Sequence, residues 1–345
     1  MKPITVQDAR RAPVPKSVFD LATSAAMVPR DSVVKEDRVF NACILYGSNV
    51  AAPEGLVQPI LMAYRAGSTE DWNHRIVITR GTLDGTIITL EDPGLSTYAT
   101  LESKFAWPGV HTEDPRMCWV PSGASASSGA STTPSATTSG ASTALFLTYT
   151  DGSTVGIAKL DPSDLSTIYT HYLRKPPSVQ ATGHTGLEKN WIPFNDGTPD
   201  TLYMVYSDTP RTIFKFTDNG TKLVYESVWT HKSLRCAFGE PRGGAPPVLW
   251  RRAAEERLNE YIWFFHTKVN KLYHIGAYVT VGFQSVRFIT PTPLFTGNQI
   301  VFQCGALAVG AEPSAYLISA GIHDMEIVFL KVPRSQVPLV PAELF

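Results

Sequence analysis

This chain has almost no net charge and lacks any long apolar run. Its 345 residues carry 30 Lys and Arg against 31 Asp and Glu, for a formal net charge of −1. Because the positive and negative charges nearly cancel, the chain as a whole is not attracted electrostatically to nucleic acid or to an acidic membrane surface. We therefore expect no nucleic-acid partner. No apolar run approaches the roughly 20 residues that a membrane helix needs, so we expect no membrane span. The opening "MKPITVQDARRAPVPK" has no apolar signal core, which predicts a cytoplasmic protein.

Cysteine is scarce, and the common signature loops are missing. The four cysteines lie far apart without C-x-x-C spacing, which predicts buried thiols in a reducing compartment. No H-E-x-x-H or His/Cys cluster indicates zinc, so we expect no metal and no organic cofactor. Neither a Walker loop nor G-x-G-x-x-G is present, which leaves nucleotide binding by those loops unsupported. No G-x-S-x-G nucleophile elbow is present either.

The apolar residues follow the pattern of strands. Short runs rich in Val, Ile, Thr, Phe and Tyr, such as "HRIVITR", "ALFLTYT" and "TLYMVYS", are separated by Gly, Pro, Asn and Asp. Such regular punctuation predicts an all-β sandwich, barrel or propeller. The clearest helical stripe is "SVFDLATSAAM" at residues 17–27, so we predict a short N-terminal helical segment.

One segment interrupts the strands. Residues 122–143 are almost entirely Ser, Ala, Thr and Gly. Their apolar surface is too small to offset the entropy lost on ordering, so we predict a flexible insertion between two strands, without chemistry of its own.

Setting this insertion aside reveals a repeat. Five times, a polar motif that contains Gly or Pro precedes a first strand, and a second strand follows with an aromatic or aliphatic run that ends near Tyr, Ser or His. The five openings are "FNACILYG", "EDPRMCWV", "EKNWIPF", "RGGAPPVLW" and "FQCGALAV". We therefore predict one five-bladed β-propeller over residues 38–335, with an N-terminal extension at 1–37 and a C-terminal tail at 336–345. A two-sheet sandwich remains the alternative, but it does not account for five similar openings.

A propeller would bring the openings together at one end of its axis, because the first strand of each blade lines the central channel. The opening residues expected around this pocket are Asn41, Glu113, Asp114, Arg116, Glu188, Lys189, Asn190, Trp191, Arg242 and the Cys304–Gly305 turn. His266 and Asp324, at the ends of later strands, could join the rim. Carboxylates and amides bind hydroxyl groups and an indole packs on a pyranose, so this pocket suits a sugar. Each residue also has an ordinary structural reading, such as a turn for Asp114 or a core position for Trp191.

The openings resemble those of five-bladed propellers in carbohydrate-active enzymes. They are similar to glycoside hydrolase family 130, the mannoside phosphorylases and hydrolases, and to related propeller glycosyltransferases. The resemblance covers roughly residues 38–332 and rests on "FNAC", "YR" at Tyr64, "EDPR", "EKNW", "RGGAPP" and "ISAGIHD", in that order. The fourth and fifth openings are less glycine-rich than is usual in mannoside-active members of the family.

This resemblance implies that Asp114 is the proton donor of an inverting enzyme. In a phosphorylase, inorganic phosphate would be a co-substrate, and basic residues would hold it: Arg65, Arg116, Lys189 or Arg242. In a hydrolase, a second carboxylate roughly 6.5–9.5 Å from the acid would activate water, and Glu188 or Asp324 could supply it. Glu113 and Asp114 are neighbours, so on a regular strand only one of them would face the pocket.

Three functions remain open at this stage. The first is an enzyme that cleaves or phosphorolyses a glycosidic bond in an oligosaccharide or glycan. The second is a glycosyltransferase that uses a sugar phosphate or nucleotide sugar as donor, with Asp114 as its base. The third is a non-catalytic glycan-binding propeller. The sugar, the linkage and the oligomeric state do not follow from the sequence.

Overall fold

The protein is an all-β, five-bladed propeller in a computed structural model, as the five openings predicted. Each blade is an antiparallel sheet built on four strands. The structure describes residues 25–27, 38–47, 57–67, 74–84, 87–91, 99–101, 112–123, 143–151, 154–173, 190–253, 258–297, 300–310, 312–324 and 326–345. Within these ranges no helix has the length and apolar character needed to cross a membrane.

Blades I to III follow one another along the chain. The strands of blade I are β2 (Arg38–Tyr46), β3 (Gln58–Gly67), β4 (His74–Asp84) and β5 (Ile87–Leu90), with β6 (Ala99–Leu101) also paired to β4. Those of blade II are β7 (Thr112–Pro121), β8 (Thr143–Asp151), β9 (Thr154–Leu160) and β10 (Thr167–Leu173). Those of blade III are β11 (Ile192–Phe194), β12 (Thr201–Asp208), β13 (Arg211–Asp218) and β14 (Leu223–Thr230).

Blades IV and V receive strands from the two ends of the chain. The strands of blade IV are β15 (Val248–Arg251), β16 (Glu260–Val269), β17 (Leu272–Val281) and β18 (Ser285–Ile289), with β19 (Phe295–Gly297) and β23 (Val340–Pro341) paired to β17 and β18. Those of blade V are β20 (Val301–Val309), β21 (Ala315–Ile322) and β22 (Glu326–Pro333), and β1 (Ala25–Met27) is its outermost strand. Two short 3-10 helices, Arg334–Gln336 and Ala342–Leu344, complete the described chain.

The hydrophobic core lies between the blades. Five clusters of buried side chains are found among the described residues, and each lies mainly between two neighbouring blades. For example, Trp250 and Phe264 of blade IV pack with Tyr316 of blade V. Strands buried on both faces are therefore apolar nearly throughout, which explains runs such as "ALFLTYT".

The predicted N-terminal helix is wrong where it can be compared. Ala25–Met27 forms strand β1 and pairs with β22 of blade V, while residues 17–24 lie outside the described residues. Pairing with the exposed edge of β22 decides the conformation, because an isolated helix of about three turns is only marginally stable in water. The predicted insertion also falls mostly outside, at residues 124–142. β1 and β23 come from the segments that we assigned to the extension and the tail.

Candidate functional site

The first strands of three blades share an unusual backbone conformation at their openings. Asn41, Asp114 and Asn190 have φ values of 52°, 53° and 64°, in the left-handed region. Asn and Asp adopt this conformation more readily than other side chains do. In β2 and β7 the strand register shifts at these positions, so each carries a β-bulge. The bulge therefore favours the polar residues Asn41 and Asp114 at these two openings, and it also turns their side chains away from the regular strand direction.

Asp114 is fixed by a residue of the neighbouring blade. The Asn41 amide Nδ2 donates to Asp114 Oδ1 at 2.8 Å, and Asp114 is only 8% exposed. Gly321 of blade V packs against this amide, since a Cβ at Gly321 would lie 2.1 Å from Asn41 Oδ1. This close approach explains the glycine in "ISAGIHD". The carboxylate therefore has a defined orientation, which a group that transfers protons needs.

Glu113 also contacts blade I, contrary to the alternation of a regular strand. Glu113 Oε1 lies 3.2 Å from Arg65 Nη2, and Arg65 in turn donates to His74 Nδ1 from Nε at 3.0 Å. The bulge between Glu113 and Arg116 breaks the two-residue alternation of the strand. Both carboxylates therefore contact blade I: Glu113 contacts Arg65 in β3, and Asp114 contacts Asn41 in β2. His74, which we did not single out in the sequence, is the buried partner that holds Arg65.

Arg116 joins three blades at the centre of the site. The residue is 1% exposed, and its Nε donates to the Gly244 carbonyl at 2.7 Å. Nη1 donates to the Asp114 carbonyl at 2.9 Å, and Nη2 donates to Asn190 Oδ1 at 3.2 Å. The guanidinium also lies 5.5 Å from the centre of the Phe302 ring. Neutral oxygens and an aromatic face therefore surround this buried cation.

His266 and Arg242 form the blade IV side of the site. Their backbones pair in an isolated bridge, with both N–H···O bonds present. His266 is buried, and burial, reinforced by the charges of Arg242 and Arg116, lowers its pKa to about 3. The imidazole is therefore neutral at ordinary pH, and its ring packs against Phe302 with centroids 4.7 Å apart. Arg242 itself is exposed.

Gln303 on blade V is a polar residue of the site that our sequence reasoning missed. It is completely buried, and within the described chain neither its Oε1 nor its Nε2 has a hydrogen-bond partner. Such an amide costs on the order of 1–3 kcal/mol. A Cβ at Gly244 would lie 2.5 Å from Nε2, so Gly244 gives the amide its room. The available signal was a lone Gln in the otherwise apolar strand "VFQCGALAV".

The remaining candidate residues are placed less directly. Trp191 is 1% exposed and packs edge-on against Tyr206 and Phe214, so its ring belongs to the core between blades II and III. Asp324 lies in the β21–β22 turn with φ 53°, at the end of blade V where β20 begins. Glu188 and Lys189 lie outside the described residues.

Metal ligation and thiol chemistry have little support in the described chain. No group of three or more His, Cys, Asp or Glu side chains that could hold a metal ion is found in the described ranges. All four cysteines are buried and free. Burial raises the pKa of Cys43 to about 12, so this thiol stays protonated and is a poor nucleophile.

No family model and no curated protein matches this chain. Among solved structures, a hypothetical protein from Leishmania major is 10% identical over 89% of this chain and 90% of its own, with a TM-score of 0.45. A GDP-Man-dependent mannosyltransferase from Leishmania mexicana is 12% identical over 90% and 89%, with a TM-score of 0.40. A GH93 α-L-arabinofuranosidase of Fusarium graminearum is 11% identical over 91% and 98%, with a TM-score of 0.45. Glycoside hydrolases and a glycosyltransferase are thus among the structural neighbours, but similarity this low carries no conclusion about activity.

Proposed function

We propose that this protein is a carbohydrate-active enzyme that acts on glycosidic bonds, as an inverting phosphorylase or hydrolase with Asp114 as general acid. The observation that carries the proposal is the Asn41–Asp114 contact. A nearly buried carboxylate is held at 2.8 Å by an amide of the next blade, beside Arg116, which donates to groups of blades II, III and IV. The resemblance of "EDPR" to the glycoside hydrolase family 130 motif supports the same residue.

The proposed chemistry needs one proton transfer and one displacement. The protonated Asp114 carboxyl gives its proton to the glycosidic oxygen while the bond from the anomeric carbon to that oxygen breaks. The bonding electrons stay with the leaving hydroxyl, and phosphate or water attacks the anomeric carbon from the opposite face. Asn41 keeps the carboxyl pointed at the departing oxygen. In the hydrolytic version, Glu188 or Asp324 would take the proton of the attacking water.

Of the three arginines Arg65, Arg116 and Arg242, one has a guanidinium available to bind an anionic co-substrate. Arg116 donates to three oxygen acceptors, and Arg65 is paired with Glu113 and His74. Arg242 is exposed, and among the described residues its guanidinium has no ion-pair or hydrogen-bond partner. An exposed guanidinium next to the neutral His266 suits a phosphate. Phosphorolysis is therefore our preferred reaction. A glycosyltransferase with a sugar-phosphate or nucleotide-sugar donor, using Asp114 as base, is the second candidate.

A product screen tests the assignment. Purified protein is incubated with manno-, gluco- and xylo-oligosaccharides, with and without inorganic phosphate, and in parallel with sugar 1-phosphates and nucleotide sugars, and products are detected by mass spectrometry. We expect phosphate-dependent product that falls by about 100-fold or more in Asp114→Asn, because general acid catalysis contributes roughly 10²–10⁴-fold.

The matched control is Asp84→Asn, the same change at an exposed carboxylate at the end of β4 in blade I. It should retain the parent rate. An Asp114→Asn variant that folds and is as fast as the parent, or a parent without product on any panel, would contradict the catalytic assignment. Sugar binding without product in both proteins would instead indicate a glycan-binding propeller.

A further inference from the structure

Three blades place buried polar atoms without partners around Arg116. Within the described chain these atoms are Asn41 Oδ1 on blade I, His266 Nδ1 on blade IV, and both amide atoms of Gln303 on blade V. Buried polar groups in native proteins are nearly always paired, so several orphaned groups in one place indicate a site whose partner comes from outside the chain.

Contacts with neighbouring residues relate the positions of these three residues. Gln303 packs against Gly244, whose carbonyl accepts the Arg116 Nε bond at 2.7 Å. His266 packs against Phe302, the residue before Gln303 in β20. Phe302 is paired in register with Gly321, which packs against the Asn41 amide. The orphaned atoms therefore lie on adjoining segments of blades IV, V and I, a group that we call the arc, and Asp114 is hydrogen-bonded to its Asn41 member.

The chemistry of the arc selects a neutral ligand group. A carboxamide offers two N–H donors and a carbonyl acceptor, and a neutral imidazole offers one acceptor nitrogen. No member of the arc carries a charge, and the neighbouring Arg116 guanidinium already donates to the Gly244 and Asp114 carbonyls and to Asn190 Oδ1. A phosphate next to the completely buried Gln303 would therefore lose its hydration without a counter-charge from the arc itself. A hydroxyl group both donates and accepts, and it is small enough for a site of this kind.

We propose that Gln303, together with His266 Nδ1, forms a subsite that reads a hydroxyl group of the sugar, so that Gln303 is a substrate-positioning residue. Gln303 Nε2 donates a hydrogen bond to the hydroxyl oxygen, and the hydroxyl O–H donates a hydrogen bond to His266 Nδ1. The inference rests on the proposed function, since it names a further contact of the same site. In this proposal the arc binds the neutral sugar, and the exposed Arg242 binds the anionic co-substrate.

The test measures sugar affinity and stability separately. Mannobiose, cellobiose and xylobiose are titrated by calorimetry and by ligand-observed NMR against the parent and against Gln303→Met, which is nearly isosteric but has no amide. We expect the affinity for the bound disaccharide to fall by about tenfold or more. We expect the Tm of the ligand-free variant to equal or exceed that of the parent, because an unpartnered amide is removed. Gln58→Met, at a buried glutamine in β3 of blade I, is the matched control and should keep the parent affinity.

The results that would contradict the Gln303 subsite differ from those that would contradict the proposed reaction. Unchanged affinity in Gln303→Met, or no binding of any of the three disaccharides by the parent, overturns the subsite. A lower Tm together with unchanged affinity would show that the amide is a structural group. If Gln303→Met fails to fold, Gln303→Asn keeps an amide but withdraws it by one methylene, and it should show the same loss of affinity. Binding that depends on Gln303 without any product would leave the subsite standing and reject the catalytic proposal.

Discussion

At the scale of single residues, the backbone conformation of the openings determines which polar side chains are found there. A left-handed backbone favours Asn or Asp, as at Asn41, Asp114 and Asn190. The same short polar side chains then make contacts between blades: Asn41 donates to Asp114, and Asn190 accepts from Arg116. The left-handed backbone accounts for these residues as structural residues, and the site that we propose would use the same side chains. The contacts of a residue distinguish a structural role from a role in the site. Trp191, for example, packs in the core between blades II and III.

Arg242 provides a prediction at the residue scale. If its exposed guanidinium binds the anionic co-substrate, Arg242→Gln should weaken binding of inorganic phosphate by about tenfold, because a charge-assisted contact contributes roughly 1.5–3 kcal/mol. Binding is measured by ³¹P NMR titration, independently of turnover.

The matched control for this prediction is Arg251→Gln, at an arginine that is 64% exposed at the end of β15 in the same blade. It should bind phosphate as the parent does. Equal phosphate affinity in the parent and in Arg242→Gln would remove Arg242 from the anion site and would favour the hydrolytic reaction.

At the scale of secondary-structure elements, the bulged first strands must approach one another closely. Gly305 follows the register shift in β20, where a Cβ would lie 2.4 Å from the Ile44 amide nitrogen and 2.9 Å from Cys43 Cα in β2. This contact is between the backbones of blades V and I, so it cannot be relieved by rotating a side chain. Glycine at this opening is therefore required by the packing of two central strands.

This packing predicts a large cost for Gly305→Ala. Because the clash is with backbone atoms, we expect the free energy of unfolding to fall by about 3 kcal/mol, at the upper end of typical overpacking penalties. Urea denaturation followed by circular dichroism measures the change. Gly220→Ala is the comparison, since Gly220 has a φ of 88° and nothing near its Cβ position, so it reports the cost of backbone conformation alone, about 1 kcal/mol. A smaller loss in Gly305→Ala than in Gly220→Ala would contradict close packing of β20 on β2.

At the scale of the whole molecule, the ring is closed by a strand from the beginning of the described chain. β1 pairs with β22, so blade V contains strands from both sides of the other four blades in sequence. The pairing covers an outer edge that would otherwise expose backbone N–H and C=O groups. It also ties the first described strand to the last blade.

Ring closure predicts the effect of a truncation. Removal of residues 1–27 should lower the Tm by about 5 °C or more, because it deletes β1 and exposes the edge of β22, and a loss of 1 kcal/mol shifts the Tm of a domain of 150–250 residues by roughly 2–4 °C. A shorter truncation of residues 1–20, which keeps β1, is the control and should melt close to the parent. Equal melting of both truncations would show that β1 adds nothing to stability.

The fold was predictable from the sequence because each repeat contains, within a short stretch, the residues that its own strands need. Each opening, such as "FNAC" or "EDPR", carries the residues that its bulge needs, and each second strand carries the apolar residues that the blade interfaces bury. The conformation of residues 25–27 was not predictable in this way. Their local pattern is helical, and only the distant edge of β22 makes them a strand.

The sequence by itself determined the class of fold, the number of blades and the polar character of the openings, because these depend on periodicity and on residues close together in the chain. Only the tertiary structure decided which polar groups have partners. It paired Glu113 with Arg65, fixed Asp114 through Asn41, surrounded Arg116 with neutral oxygens and left the Gln303 amide without a partner in the described chain. These outcomes depend on distances between blades, and residues more than 70 positions apart come together only when the ring closes.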